Sequence, residues 1–273
     1  MSTTSTPAPD AGKKENKRNA LWQELMIPAL AVLTGLIFGA IVIVASGDNP
    51  ITAYGALFAG SFGTPADYIE GFKVLFATGD TAALIKAIYP FTESLVTATP
   101  YIFAGLSVAL GFRCGLFNIG AEGQFFIGAL CSAFVGYSIK GLPMIIHLPL
   151  AILGGALGGA IWGAIPGYLK ARFGAHEVVN TIMMNWIAFR LSDWLLSGPM
   201  KSSGFRPVTP NIEASAELPR FFSDPLRFNL GFFLALLTAY LLYWFLFKTT
   251  IGFEIRSVGA NPDAAKYAGM NIV

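Results

Sequence analysis

Residues 98–140 read ATPYIFAGLSVALGFRCGLFNIGAEGQFFIGALCSAFVGYSIK. An apolar run, a polar and glycine-rich interruption and a second apolar run follow one another. A helix crossing a hydrocarbon core of about 30 Å needs roughly 20 apolar residues, and the first run supplies them over 94–112. The second run, Phe125 to Ile139, holds only fifteen residues before Lys140, which is short at about 1.5 Å per residue. The missing length has to come from CGLFNIGAEGQ, so the spacing predicts a crossing helix broken near 114–124. Gly115, Gly120 and Gly123 weaken a helix there, and Asn118, Glu122 and Gln124 are placed at membrane depth. Non-helical backbone survives at that depth only when buried in protein or lining a water-filled cavity. The segment therefore reads as the border of a translocation path. The competing reading leaves the loop at the membrane surface beside Arg113, with Glu122 solvated.

Further apolar segments lie at about 27–46, 148–169, 178–198 and 228–247. The expected fold is all-α, a polytopic transmembrane helical bundle of about six spans. Composition agrees: of 273 residues 54% are apolar and 12% charged, and mean hydropathy is +0.60. Soluble domains carry roughly 25% charged residues, so this chain cannot cover itself in water and belongs in a lipid bilayer. The same numbers exclude a disordered chain, and the two cysteines exclude a disulfide scaffold. Cys114 and Cys131 fall in or beside apolar stretches and are expected as free thiols.

Residues 1–20 are polar and charged and read as a disordered cytoplasmic tail. Lys13, Lys14, Lys17 and Arg18 precede the first span and place the N-terminus in the cytoplasm. Six crossings then put ten basic residues inside and seven outside, the inner ones beside span ends, with Arg190 within a span. Basic residues thus lie on both faces, and no nucleic-acid partner follows. A cleaved signal peptide is the rival reading of 21–46, but its apolar core is long for that role. Outer segment 47–92 is predicted to hold short interfacial helices. Outer segment 199–227 contains Pro199, Pro207, Pro210, Pro219 and Pro225, which prevent a continuous helix.

Gly155, Gly159, Gly163 and Gly167 recur every four residues, a bare strip that predicts close helix packing, with a pore-lining wall as the lesser reading. Asn180 and Asn185 either hydrogen-bond across helices or line a path. Arg190 and Asp193, three apart, are expected to neutralise each other. His176 and Glu177 begin a zinc-protease-like helix, but position 180 is Asn. With only His147 and His176 in the chain, no metal site is assigned, and no cofactor. There is no phosphate-cradling G-x-x-x-x-G-K-[ST] loop and no G-x-S-x-G elbow, so an enzyme is not expected and ATP energy would enter through another chain. Near the end, Asn261 as N-cap, Pro262 at the first helical position, Asp263 in the first turn and Gly269 as terminator predict a short helix over 262–268. Its Ala264, Ala265 and Ala268 are expected to offer a small, smooth face to a partner.

ATPYIFAGLSVALGFRCGLFNIGAEGQ, GAHEVVNTIMMN and IGFEIRSVGANPDAAKYAGMN follow in the same order as in permease subunits of bacterial ABC importers. The chain resembles the inner-membrane component family serving simple sugars, branched-chain amino acids and nucleosides, and most of all its nucleoside or simple-sugar permeases. The resemblance covers residues 22–273 and implies a transmembrane permease domain over 21–273. It implies that Asp263, Ala264, Ala265 and Gly269 match the family's EAA-and-glycine pattern, with Asp263 in place of the usual glutamate. A coupling helix over about 261–269 would then dock into ABC ATPase subunits. It implies that Asn118, Gly120, Glu122 and Gln124 lie near the transport path. A second permease subunit and a substrate-binding protein are the other implied partners, in the bacterial inner membrane. Because the family usually continues with further spans, the resemblance also implies that the chain is C-terminally incomplete. The alternative function is a secondary transporter or channel for a small polar solute.

Overall fold

Helix boundaries follow the capping chemistry of the sequence closely. The computed structural model describes residues 13–272, and helices dominate it: α1 (Lys13–Ala45), α2 (Pro50–Phe62), α3 (Pro65–Thr78), α4 (Ala82–Arg113), α5 (Ala121–Ser138), α6 (Met144–Phe173), α7 (Glu177–Ser197), α8 (Gly231–Lys248), α9 (Thr250–Ala260) and α10 (Pro262–Tyr267). Asn49 caps α2 and Thr64 caps α3, each ahead of a proline in the first turn, where the missing N–H costs nothing. Gly115, at φ +74°, ends α4. Leu116 N–H donates to the Gly111 carbonyl (2.9 Å) and Gly115 N–H to the Phe112 carbonyl (3.2 Å), the pair of bonds that closes a helix on a left-handed residue.

Four helical stretches are long and apolar enough to cross a membrane: Leu25–Ala45 of α1, α4, α6 and α8. The crossings expected at 125–139 and 178–198 fall on α5 and α7, which are 18 and 21 residues long and diluted by polar side chains. The chain is thus an all-helical membrane bundle.

Several boundaries differ from expectation. Helix α1 begins at Lys13 rather than after residue 20, because KKENKRNALWQELM consists largely of good helix formers without an internal breaker; the rest of the expected tail, residues 1–12, lies outside the described residues. Outer segment 47–92 holds two short helices, α2 and α3, but ends eleven residues early. Asp80 accepts a hydrogen bond from Ala82 N–H (2.9 Å) and starts α4 there, and the bare Gly71 of α3 packs on Leu84. The break is shorter than 114–124: residues 114–120 are irregular, while Glu122 and Gln124 already belong to α5. With α5 begun at Ala121 its length is about 27 Å, so a longer break is not needed. Arg190 and Asp193 approach to 3.9 Å, but on the exposed side of α7; the inward side is Thr181, Asn185, Ala188 and Ser192.

Two packed groups result. Helices α5, α6 and α7 form a block; α2, α3 and α8 pack on α4, and α9 and α10 follow α8 as an arm. Glycines seal the block. A Cβ on Gly154 would lie 2.9 Å from Val135, and one on Gly158 2.5 Å from the Cys131 Sγ. In lipid, where burial of apolar surface drives little, such backbone proximity is what holds helices together. Outer segment 199–227 is fastened to the block. His147 is fully buried, its Nε2 3.2 Å from the Val135 carbonyl and its Nδ1 2.7 Å from the Ser215 hydroxyl. A carbonyl can only accept, so Nε2 carries the hydrogen and Ser215 donates to Nδ1. In the arm, Arg227 binds Glu93 through two hydrogen bonds and ties the start of α8 to α4.

Candidate functional site

Block and arm leave a groove between α4 and α6, floored by the first half of α5. Three adjoining cavities occupy it. The one nearest the break, ≈240 Å³, is lined by Ser107, Asn118, Gln124, Gly163, Pro166, Glu177 and Thr181 among others. The middle one, ≈350 Å³, takes Phe103, Ser107, Gln124, Phe125 and Gly159. The third, ≈660 Å³, extends toward the outer segment past Thr99, Ser132, Leu218, Asn229 and Thr238. Gln124 lines all three. Its amide exchanges hydrogen bonds with Asn118 (3.3 and 3.4 Å), and its carbonyl accepts from the Ser107 hydroxyl (3.3 Å). Those lengths are at the weak end for hydrogen bonds, so the three side chains can exchange each other for a passing polar group at small cost.

The break is held from both sides. Asn118 accepts from Gly120 N–H (2.9 Å). Asn185, reaching over from α7, accepts from Gly123 N–H (2.8 Å) and donates to the Ile119 carbonyl (3.0 Å). It thereby satisfies one of the orphan donors in the first turn of α5. Asn185 is consequently a cap and not a lining residue. Asn180, its sequence-level twin, touches none of the three cavities, and its Nδ2 is buried without a partner. Glu122 is exposed at the start of α5, where the helix dipole favours a carboxylate, and does not line the groove. The acid that does is Glu177, one residue before the span at 178–198. The Lys170 ammonium, 2.8 Å away, donates to it and holds its carboxyl below the usual carboxylate range. Of the expected path residues, Asn118 and Gln124 therefore meet in the groove, and Glu122, Asn180 and Asn185 do not.

The glycine strip serves two purposes. Gly154 and Gly158 pack on α5, Gly163 and Gly167 line the groove, and Gly155 and Gly159 do both. A Cβ on Gly163 would come within 3.0 Å of the Gln124 Nε2, so the bare position makes room for that amide. Ser107 lies in an ordinary apolar helical stretch and was not legible as a site residue, and although Glu177 and Thr181 stand in GAHEVVNTIMMN, their facing toward the groove depends on the rotation of α7.

At the other end of the arm, the Asn261 side chain accepts from Asp263 N–H and Ala264 N–H (both 3.1 Å), Pro262 opens α10, and Gly269 at φ +83° follows its end. The helix runs Pro262–Tyr267, one residue shorter than expected. Ala265 is 4% exposed and faces the chain itself. The free face is instead Asp263, Ala264, Ala268 and Tyr267, the last 96% exposed. Helix α9 connects this face to the break. Gly259 lies so close to Arg113 and Cys114 that a Cβ would collide with their backbone, and a Cβ on Gly115 would lie 3.0 Å from the Gly259 carbonyl. Arg113 and Arg256 both sit over the Phe247 ring, 5.5 and 4.9 Å from its centroid, a cation–π pair that joins α4, α8 and α9.

Residues 91–273 match the model of the branched-chain amino acid transport system / permease component family, and the chain belongs to that family. It is 39% identical over 252 residues to the guanosine ABC transporter permease protein NupP of Bacillus subtilis, covering 91% of this chain and 65% of that one. Identity to the glucose ABC transporter permease protein TsgB13 of Haloferax volcanii is 33% (92% and 62% covered), and to the nucleoside ABC transporter permease protein NupB of Lactococcus lactis 31% (91% and 64%). The chain thus spans somewhat less than two thirds of the length of these relatives. No solved structure matches it significantly.

Proposed function

We propose that the chain is part of a permease subunit of an ATP-driven importer, forming the membrane path for a nucleoside or simple sugar. A binding protein would deliver the solute to outer segments 47–81 and 199–227, and a second permease subunit would complete the transporter in a bacterial inner membrane, N-terminus inward. The three relatives carry guanosine, glucose and nucleoside in their names, which supports the solute class. The observation that carries the mechanism is the contact of Gly259 with Arg113 to Gly115. It makes α10, α9 and the break one mechanical line ending at Asn118 and Gln124. A pull on α10 by an ATPase would then move the α4 wall of the groove, which ends at Arg113, against the α5 floor. Nothing in the line has to catalyse a reaction; motion alone switches which side of the membrane the groove faces.

Exchange of Ala264 for arginine, or of Tyr267 for alanine, in the assembled transporter tests the docking face. Both positions are exposed, so the fold is spared. Loss of substrate-stimulated ATP hydrolysis is expected, and unchanged stimulation in both variants refutes docking through α10.

A further inference from the structure

We propose that Phe103 and Phe125 select the solute by accepting a planar heteroaromatic base between them. The inference rests on the transport reading above. Both rings line the middle and the third cavity, Phe103 from the α4 wall of the groove and Phe125 from its α5 floor. Among the described residues neither ring contacts another aromatic ring, so no aromatic partner competes with a base for their faces.

The other lining side chains narrow the ligand. No charged residue borders either cavity. A zwitterionic amino acid or a phosphate ester would shed its hydration there with no opposite charge to replace it, which is costly. A hexose carries hydroxyls around its whole rim, while the α6 side of the third cavity is Ile152, Gly155 and Ala156, which offer no side-chain hydrogen bonds, and its polar groups Thr99, Gln124, Ser132, Asn229 and Thr238 all lie on other elements. A nucleobase fits this distribution. Its two apolar faces suit two phenyl rings, and its edge of donors and acceptors suits the Gln124 amide, which presents two N–H groups and a carbonyl. Cavities of ≈350 and ≈660 Å³ are of the size that holds a small organic ligand.

The test uses the full-length transporter with its ATPase and binding protein, reconstituted in liposomes, and follows uptake of radiolabelled guanosine and glucose. Guanosine is expected to be carried. Phe103→Leu and Phe125→Leu are each expected to raise its half-saturating concentration about tenfold or more, the scale of one lost base–aromatic stack. Tyr at either position is expected to restore it, since the aromatic face returns. Preference of the unaltered transporter for glucose, unchanged guanosine affinity in both Leu variants, or failure of Tyr where Leu has failed would overturn the proposal. Uptake of neither solute would instead overturn the transport reading beneath it.

Discussion

The block of α5, α6 and α7 and the arm of α4, α8, α9 and α10 are equally helical, but they are held by different forces. The block is sealed by bare glycine surfaces and by polar side chains bonded to neighbouring elements: Asn185 on the α5 start, His147 between Val135 and Ser215, and the Trp162 indole on the Met184 carbonyl. The arm is joined by side-chain charge, with Arg227 on Glu93 and two arginines over Phe247, and by two close backbone contacts of α9, Gly252 on Phe245 and Leu246 of α8 and Gly259 on the end of α4. Interhelical packing of the first kind admits one arrangement. Contacts between long charged side chains and rings tolerate small displacements. The difference assigns the fixed wall of the groove to the block and the moving wall to the arm.

Substitutions can break or sharpen that contrast. The largest effect is expected at Gly259→Ala. The added Cβ has backbone in its way, and relief of a clash typically costs 1–3 kcal/mol. Substrate-stimulated ATP hydrolysis should fall about tenfold or more, while thermal unfolding of the block, followed by Trp162 fluorescence, stays in place. Gly158→Ala should do the reverse: its Cβ meets the Cys131 Sγ, so thermal stability of the purified transporter drops by about 1–3 kcal/mol, and Cys131→Ala in the same chain recovers most of it. Asn185→Ala leaves Gly123 N–H and the Ile119 carbonyl without their partner, a loss of about 1–3 kcal/mol. Faster amide hydrogen exchange confined to the first turn of α5 would locate it. Glu177→Gln should change least, within about 1 kcal/mol, because Lys170 is partly open to solvent.

How far the sequence carried depended on the kind of signal. Caps and breakers act locally, so Asn261, Pro262 and Gly269 located α10 within a residue, and the prolines of 199–227 left that segment without a continuous helix, with one 3-10 turn at Ala214–Ala216. Span-length arithmetic was weaker. It took the polar letters Glu122 and Gln124 as the edge of an apolar run, although a helix can begin in polar sequence when Asn185 supplies the cap from another helix. Which polar residues meet was least legible, because facing depends on helix rotation. Asn180 and Asn185 are alike in sequence, yet one is a cap and the other has an unpartnered amide. Ala265 likewise gave no sign of turning inward, since alanine suits either face of a helix. For the glycine strip, packing and a smooth wall stood as alternatives, and the structure shows packing on α5 together with lining of the groove.

The central claim, an arm that moves against a fixed block, is tested most directly by a distance. In the full transporter freed of Cys114 and Cys131, spin labels at Leu110 on α4 and Ala160 on α6 face the groove from its two walls. Double electron–electron resonance before and after nucleotide trapping should give two distinct distance distributions, whereas labels at Phe134 and Leu153, on α5 and α6 within the block, should give one. Equal and unchanged distributions for both pairs, or a shift within the block as large as that across the groove, would contradict the account.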